Sequence, residues 1–232
     1  MPINTQAILK HYRKRFPFER FYDNLVNNIA TWPAYHLKSE TFLQGYESQN
    51  KTTQQAEKII TGSNDIRVDL PVWFGNLSSP VRIAVMGLEP RNSDPDGILN
   101  IERVGQYVFA TPFALERPRG PYYAAFQDLL NSNNLFVYFT DVVKSYLVSG
   151  DKKNDDRIAR QLFWKRAKEE EAFLVEELAL INPTFIIALG NESFAFLSKL
   201  LSNKYQILKI RHPSQGGARI AREQLAKILQ QP

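Results

Sequence analysis

From Val81 onward the chain alternates short, continuous apolar runs with longer stretches whose apolar positions recur at helical spacing. The short runs predict strands over 82–86, 135–139, 184–189 and 206–210, and the longer ones predict helices over 122–130, 157–180, 193–201 and 218–229. Unbroken apolar strands are buried on both faces, and strands separated by helices pair in parallel. The expected fold is therefore a three-layer α/β/α domain around a four-stranded parallel sheet, occupying residues 71–232. Asn182-Pro183 is a turn-favouring pair that ends the longest helix, and Gly190 opens the next one. Upstream, Phe18, Phe21, Tyr22, Leu25 and Ile29 fall at helical spacing, and Thr53 to Ile60 reads as a second helix stopped by Gly62. Residues 1–70 are thus expected to form a helical N-terminal extension packed on the main domain. The polar stretch Ser149 to Asp156 predicts either a mobile lid or a plain solvated connection.

Two of the strands run straight into polar, Pro-containing loops, Gly87-Leu-Glu-Pro90 and His212-Pro-Ser214. If the strands are parallel, both loops open at the same carboxyl edge, where open α/β sheets bind ligands. Glu89 and His212 then face one another across a cleft.

Composition narrows the chemistry. The 232 residues carry 29 Lys and Arg against 24 Asp and Glu, a net charge of +5, which suits a polyanionic partner without requiring one. The absence of cysteine excludes disulfides, thiolate zinc sites, iron–sulfur clusters and a Cys nucleophile. The three histidines, His11, His36 and His212, show no ligand spacing, so no metal and no cofactor are expected. No apolar run reaches the ~18–20 residues of a membrane span, and the first residues lack the layout of a signal peptide. A cytoplasmic protein with no membrane partner is expected.

In their order along the chain, these pieces resemble the uracil-DNA glycosylase superfamily. Gly87-Leu-Glu-Pro90 is similar to the loop after its first strand, and His212-Pro-Ser214 to its second motif. Phe113-Ala-Leu followed by Pro118-Arg-Gly-Pro-Tyr-Tyr-Ala-Ala-Phe126 is similar to the base-stacking Phe and the helix after it. Thr140-Asp-Val-Val-Lys144 resembles a strand end that reads Thr-Asn-x-Val, and Phe185 to Gly190 a core strand. The resemblance runs from about Val81 to the C-terminus and leaves the first third uncovered.

That resemblance implies a monofunctional DNA base glycosylase, a hydrolase that acts on a flipped base, with uracil as the first candidate and DNA as the partner of a monomer. Glu89 would hold the attacking water and stabilise cationic character at the sugar C1′, although it is one methylene longer than the usual Asp. His212 would donate a hydrogen bond to the leaving base. Leu88, Phe113 and Asp141 would contact the base, with Phe109 as the alternative ring. Asp141 stands where relatives mostly carry Asn, so it accepts from an N–H or an exocyclic amine of the base, or keeps its proton in a buried pocket and recovers a donor, or merely caps its loop. Pro90, Arg91, Lys144, Pro213, Ser214, Gln215, Gly216, Gly217 and Arg219 would meet the DNA strand, the glycines by letting phosphate approach backbone amides. Arg157, Arg160, Lys165, Arg166 and Lys168 read as a solvated helix face. Two rivals stand beside this reading. One is a catalytically silent member that binds nucleic acid or a free base. The other is a nucleotide-cofactor enzyme, disfavoured because Gly87 to Pro90 lacks the Gly-x-Gly-x-x-Gly turn.

Overall fold

The apolar runs become the middle of a five-stranded sheet. The computed structural model describes residues 2–15, 65–90, 102–104, 107–110, 113, 120–148, 152–214 and 216–230. In chain order these form α1 (Thr5–Arg15), β1 (Asp65–Asp69), β2 (Val72–Gly75), β3 (Arg82–Gly87), β4 (Glu102–Val104), β5 (Tyr107–Ala110), α2 (Pro121–Leu130), β6 (Phe136–Asp141) and β7 (Ser145–Val148). There follow α3 (Lys152–Glu169), α4 (Glu171–Ile181), β8 (Phe185–Leu189), α5 (Gly190–Leu201), β9 (Gln206–Ile210) and α6 (Ala218–Leu229).

The central sheet has the order β2-β6-β3-β8-β9. Its β6, β3, β8 and β9 are parallel, as expected, and β2 adds an antiparallel edge. The expected count of four strands is therefore corrected to five. Val72-Trp-Phe74 is too short and too close to the next run to show a period of its own, and pairing with β6 decides its state. Alternate residues of the strands feed two cores. Ile83, Val85, Ile187 and Leu189 pack with Phe126 and Leu129 of α2 and with Ala221 and Leu225 of α6. Ala84, Met86, Ile186 and Ala188 pack with Phe163 and Ala167 of α3, Leu178 of α4 and Phe196 and Leu197 of α5. Helices thus cover both faces of the sheet. The strand order reverses across β3, because the chain first steps to β6 and later to β8, and a crevice is expected outside the carboxyl ends at such a point.

A second sheet, β4-β5-β1-β7, was not legible in the hydrophobic pattern. It shares a ribbon with the first. β2 runs antiparallel to β6, and β1 runs antiparallel to β7. Val72 pairs with Phe139 and Val68 with Ser145, so residues 69–71 are opposed by residues 140–144, two more than they number. This bulge lets the ribbon bend from one sheet into the other, and bulges of this kind re-aim side chains. β1 also means that residues 65–69 are strand, within the segment expected to be helical.

The helix expected over 157–180 is two helices that meet at Glu170. There the amide of Glu170 is shared between the carbonyls of Arg166 and Ala167, a tightened turn that keeps the apolar period almost in register. Helix α3 begins at Lys152, so most of the segment expected as a lid or loop is helical. Helix α4 ends as expected, with Asn182 left-handed at φ 47° ahead of Pro183. Helix α1 docks on α4: Arg15 pairs with the buried Glu170, and the His11 ring stacks on Phe173 at 3.9 Å. The helices expected around Phe18–Ile29 and Thr53–Ile60 lie outside the described residues. Among the described residues, no helix is long and apolar enough to cross a membrane.

Candidate functional site

The carboxyl ends of β3, β6, β8 and β9 converge on one cluster of side chains, and glycine makes the approach possible. A Cβ on Gly87 would land on Asp141 Oδ1 and on the ring edge of Phe113. The loop that follows is pinned by continuing the β3–β6 ladder, with Val142 N–H donating to Gly87 C=O at 3.1 Å and Val143 N–H to Leu88 C=O at 2.9 Å. Leu88 turns its side chain into the core shared with Met86 and Val142, so any part it has beside a base falls to its main chain. Pro90 is buried, and Arg91 lies outside the described residues.

Phe113 holds φ at +65°, a conformation costly for a bulky residue and one that recurs at functional sites. Its ring stacks on Tyr122 with centroids 5.3 Å apart and planes 22° apart, and its edges meet Phe126 and Phe139. Phe109, the alternative ring, falls on β5. Tyr122 sits in the first turn of α2, which Pro121 starts at its N1 position. The Tyr122 hydroxyl lies 3.4 Å from His212 Nε2, with the two rings edge-on at 5.6 Å. Burial, then the negative charges of Asp141 and Asp69, push the Tyr122 phenol well above its ordinary range. Asp69 is buried at the end of β1, across the ribbon bend from Asp141.

His212 follows β9 and is half-buried, with Nδ1 2.7 Å from Ser214 Oγ. When the Ser214 hydroxyl donates to Nδ1, the ring proton sits on Nε2 and points toward Tyr122. Gly190, at φ +86°, turns β8 into α5 directly beside His212, with its Cβ position 3.6 Å from the His212 Cβ. Pro213 is buried. Gly217 is required sterically, since a Cβ there would strike the His212 carbonyl oxygen. Gly216 is exposed at φ +78° and Arg219 is exposed beside Glu223, so these two and the half-buried Ser214 remain available to a strand. Gln215 lies outside the described residues.

Two expectations are corrected by burial. The Glu89 side chain is fully buried, and Arg166 Nη1 donates to it at 2.7 Å. The same guanidinium donates through Nη2 to the carbonyl of Ser145, so Arg166 belongs to this loop and not to a solvated helix face. Lys144 is not a phosphate contact. It is fully buried, its ammonium lying 2.5 Å from Glu177 Oε2 and donating to Thr140 Oγ1 at 2.7 Å and to the carbonyl of Asp141 at 2.6 Å. Glu177 Oε1 in turn accepts from Tyr12 at 2.5 Å, Tyr138 at 2.7 Å and Thr140 at 3.0 Å. Burial and the Glu177 charge hold the phenols of Tyr12 and Tyr138 well above their usual range.

Sequence reasoning missed Tyr122, Asp69, Arg166 and Glu177. Glu177 left a signal, a charge between Leu174, Leu178 and Ile181 on an otherwise apolar helix face. Asp69 and Arg166 left none, because their partners are far away in the chain. Among the described residues, no three His, Asp or Glu side chains gather as a metal set. Compared with protein-family models and with curated proteins, the chain matches none.

Proposed function

We infer that this protein is a monofunctional DNA base glycosylase, with uracil as its first-choice base. The observation that carries the reading is the unbroken line of contacts Asp141–Gly87–Phe113–Tyr122–His212–Ser214 across the carboxyl ends of the parallel strands. It supplies what excision of a flipped base needs: a ring to stack on, a polar side chain at the base edge, and a donor for charge that collects on the departing base. In this reading the base lies against Phe113, Asp141 meets its polar edge, and His212 Nε2–H donates to its oxygen. Glu89, held by Arg166, stabilises positive charge at the sugar. Gly216, Ser214 and Arg219 receive the phosphates of a DNA strand. Helices on both faces of the sheet support a three-layer α/β/α arrangement, and a cytoplasmic monomer that needs no metal completes the proposal. Lys144, sealed against Glu177, is not a Schiff-base residue, which fits hydrolysis without strand cleavage.

One observation favours a second reading. The Glu89 carboxylate is engaged by Arg166 inside the fold, which suits a member that binds bases or nucleic acid without cutting the glycosidic bond. A single-turnover assay separates the two. Oligonucleotides carrying uracil, hypoxanthine, xanthine or alkylated pyrimidines are incubated with enzyme and then treated with alkali. The glycosylase reading expects release from uracil DNA that survives EDTA and falls on the order of 10²–10³-fold in His212→Ala. Salt-sensitive binding to every oligonucleotide with no base released establishes the silent binder instead.

A further inference from the structure

Tyr122 is not among the residues that the proposed reaction uses, yet it occupies the middle of the site. Its ring lies nearly parallel to Phe113 at 5.3 Å, the relation a stacked base would take. Its oxygen lies 3.4 Å from His212 Nε2, the relation a base carbonyl would take. The charges of Asp141 and Asp69 bear on the same hydroxyl, as they would on the polar edge of a base. A planar ring stacked on Phe113 with its one oxygen toward the imidazole resembles a base that presents a carbonyl there.

The geometry points to Tyr122 as a stand-in for the flipped base: it fills the stacking position between Phe113 and His212 in the free protein and must swing aside before a base can enter. This inference rests on the glycosylase reading for the identity of the occupant. Tyr122 follows Pro121 in the first turn of α2, so its backbone is fixed and the ring leaves by side-chain rotation alone. The consequence is a tax on affinity, since a ligand binds only the fraction of molecules in which the ring has left. It is also a filter, because an entering base must outcompete the ring for Phe113 and for His212 together. A base that stacks without presenting an acceptor to His212 recovers only part of what the tyrosine gives up.

The probe is free uracil, titrated by calorimetry into the full-length wild type and into Tyr122→Ala and Tyr122→Phe. Tyr122→Ala should bind uracil about three- to tenfold more tightly than wild type, the range expected for removing one competing aromatic stack. Tyr122→Phe keeps the packing and the ring, loses the contacts of the hydroxyl to His212 and Ser214, and should show a smaller gain of about twofold. In steady-state excision, the same variants should lower KM in the same order. Unchanged or weaker binding of uracil in both variants, or no binding by any of the three proteins, overturns the inference. Should Tyr122→Ala fail to fold, Tyr122→Phe decides by itself: no gain over wild type rejects the stand-in. If wild type releases no base from any oligonucleotide while the variants gain affinity for uracil, the glycosylase reading falls and the stand-in survives. If wild type excises uracil and neither variant gains, the converse holds.

Discussion

Asp141 and Lys144 leave the same bend of the β6–β7 ribbon for opposite chemical company. Lys144 enters a sealed knot out of reach of water, its ammonium paired with Glu177 Oε2 while Tyr12, Tyr138 and Thr140 donate to Glu177 Oε1. Asp141 enters a cluster whose rings, Phe113, Tyr122 and His212, are only half-buried and meet one another by stacking and by a contact of 3.4 Å. The knot is rigid because every change of partner would strand a buried charge. The half-buried rings of the open cluster can exchange their contacts for those of a ligand without stranding a buried charge. The knot also grips the carbonyl of Asp141 through Lys144 Nζ, so the rigid region fixes the backbone from which the adaptable one reaches out.

The comparison breaks most severely at Glu177. Glu177→Ala leaves the Lys144 ammonium buried opposite nothing and should destabilise the fold by about 3–5 kcal/mol in urea unfolding. The double variant Lys144→Met with Glu177→Leu should recover most of that loss, because an apolar pair of similar volume often replaces a buried ion pair without penalty. Failure to recover would mean that the knot is held by Tyr12 and Tyr138 more than by the ion pair. Gly87→Ala strikes the open cluster, since its Cβ falls on Asp141 and Phe113. It should cost about 1–3 kcal/mol, the range for overpacking, and should impair base release beyond what the lost stability explains. Normal kinetics in a folded Gly87→Ala protein would detach these residues from the reaction.

Asp141→Asn should leave stability nearly unchanged and act on chemistry. An amide donates as well as accepts, so the base profile should shift toward uracil and away from bases presenting an amine. Removing that charge should also bring the Tyr122 phenol back toward its ordinary range, read by ultraviolet titration of the folded protein. An unmoved titration with an unmoved profile would place Asp141 outside the cluster. The smallest effect belongs to His11, whose imidazole burial holds below its usual pKa, against the opposing pull of Glu177. The unfolded chain therefore takes this proton first. The contribution of the neutral ring is complete above about pH 6.5 and drains away as pH falls toward the lowered folded value. Between about pH 7 and pH 5.5, wild type should lose more stability than His11→Gln. Parallel slopes would show that the ring is protonated without penalty.

β3, β6 and β8 were legible because a strand buried on both faces must be apolar almost throughout, whereas β9, an edge strand with Gln206 and Lys209 exposed, was marked by Ile207, Leu208 and Ile210. The ends of α6 and of α4 were legible for similar local reasons. The second sheet was not, since β1 and β7 earn their state by pairing with each other across most of the intervening chain. At the site, Gly87, Asp141 and His212 could be singled out because each closes or follows a recognisable strand, and Phe113 only through the resemblance. The fate of Glu89 and Lys144 could not, because burial depends on which distant partner arrives, and Arg166 and Glu177 come from helices whose register alone says nothing of what they face. Glu177 was nonetheless marked by its place in an apolar stripe, a warning that a charge inside has a partner elsewhere.

The five residues of the bend, 140–144, divide their labour residue by residue: Thr140 and Lys144 anchor, Val142 and Val143 extend the ladder, and Asp141 alone faces the cluster. That division bears on how such a protein can change over generations. A single-nucleotide codon change suffices to turn Asp into Asn, and if Asp141 reads the base as proposed, that change alters what is read while the anchors Thr140 and Lys144 stay in place. On that reading, recognition can be rewritten one letter at a time without a single anchor of the bend being touched.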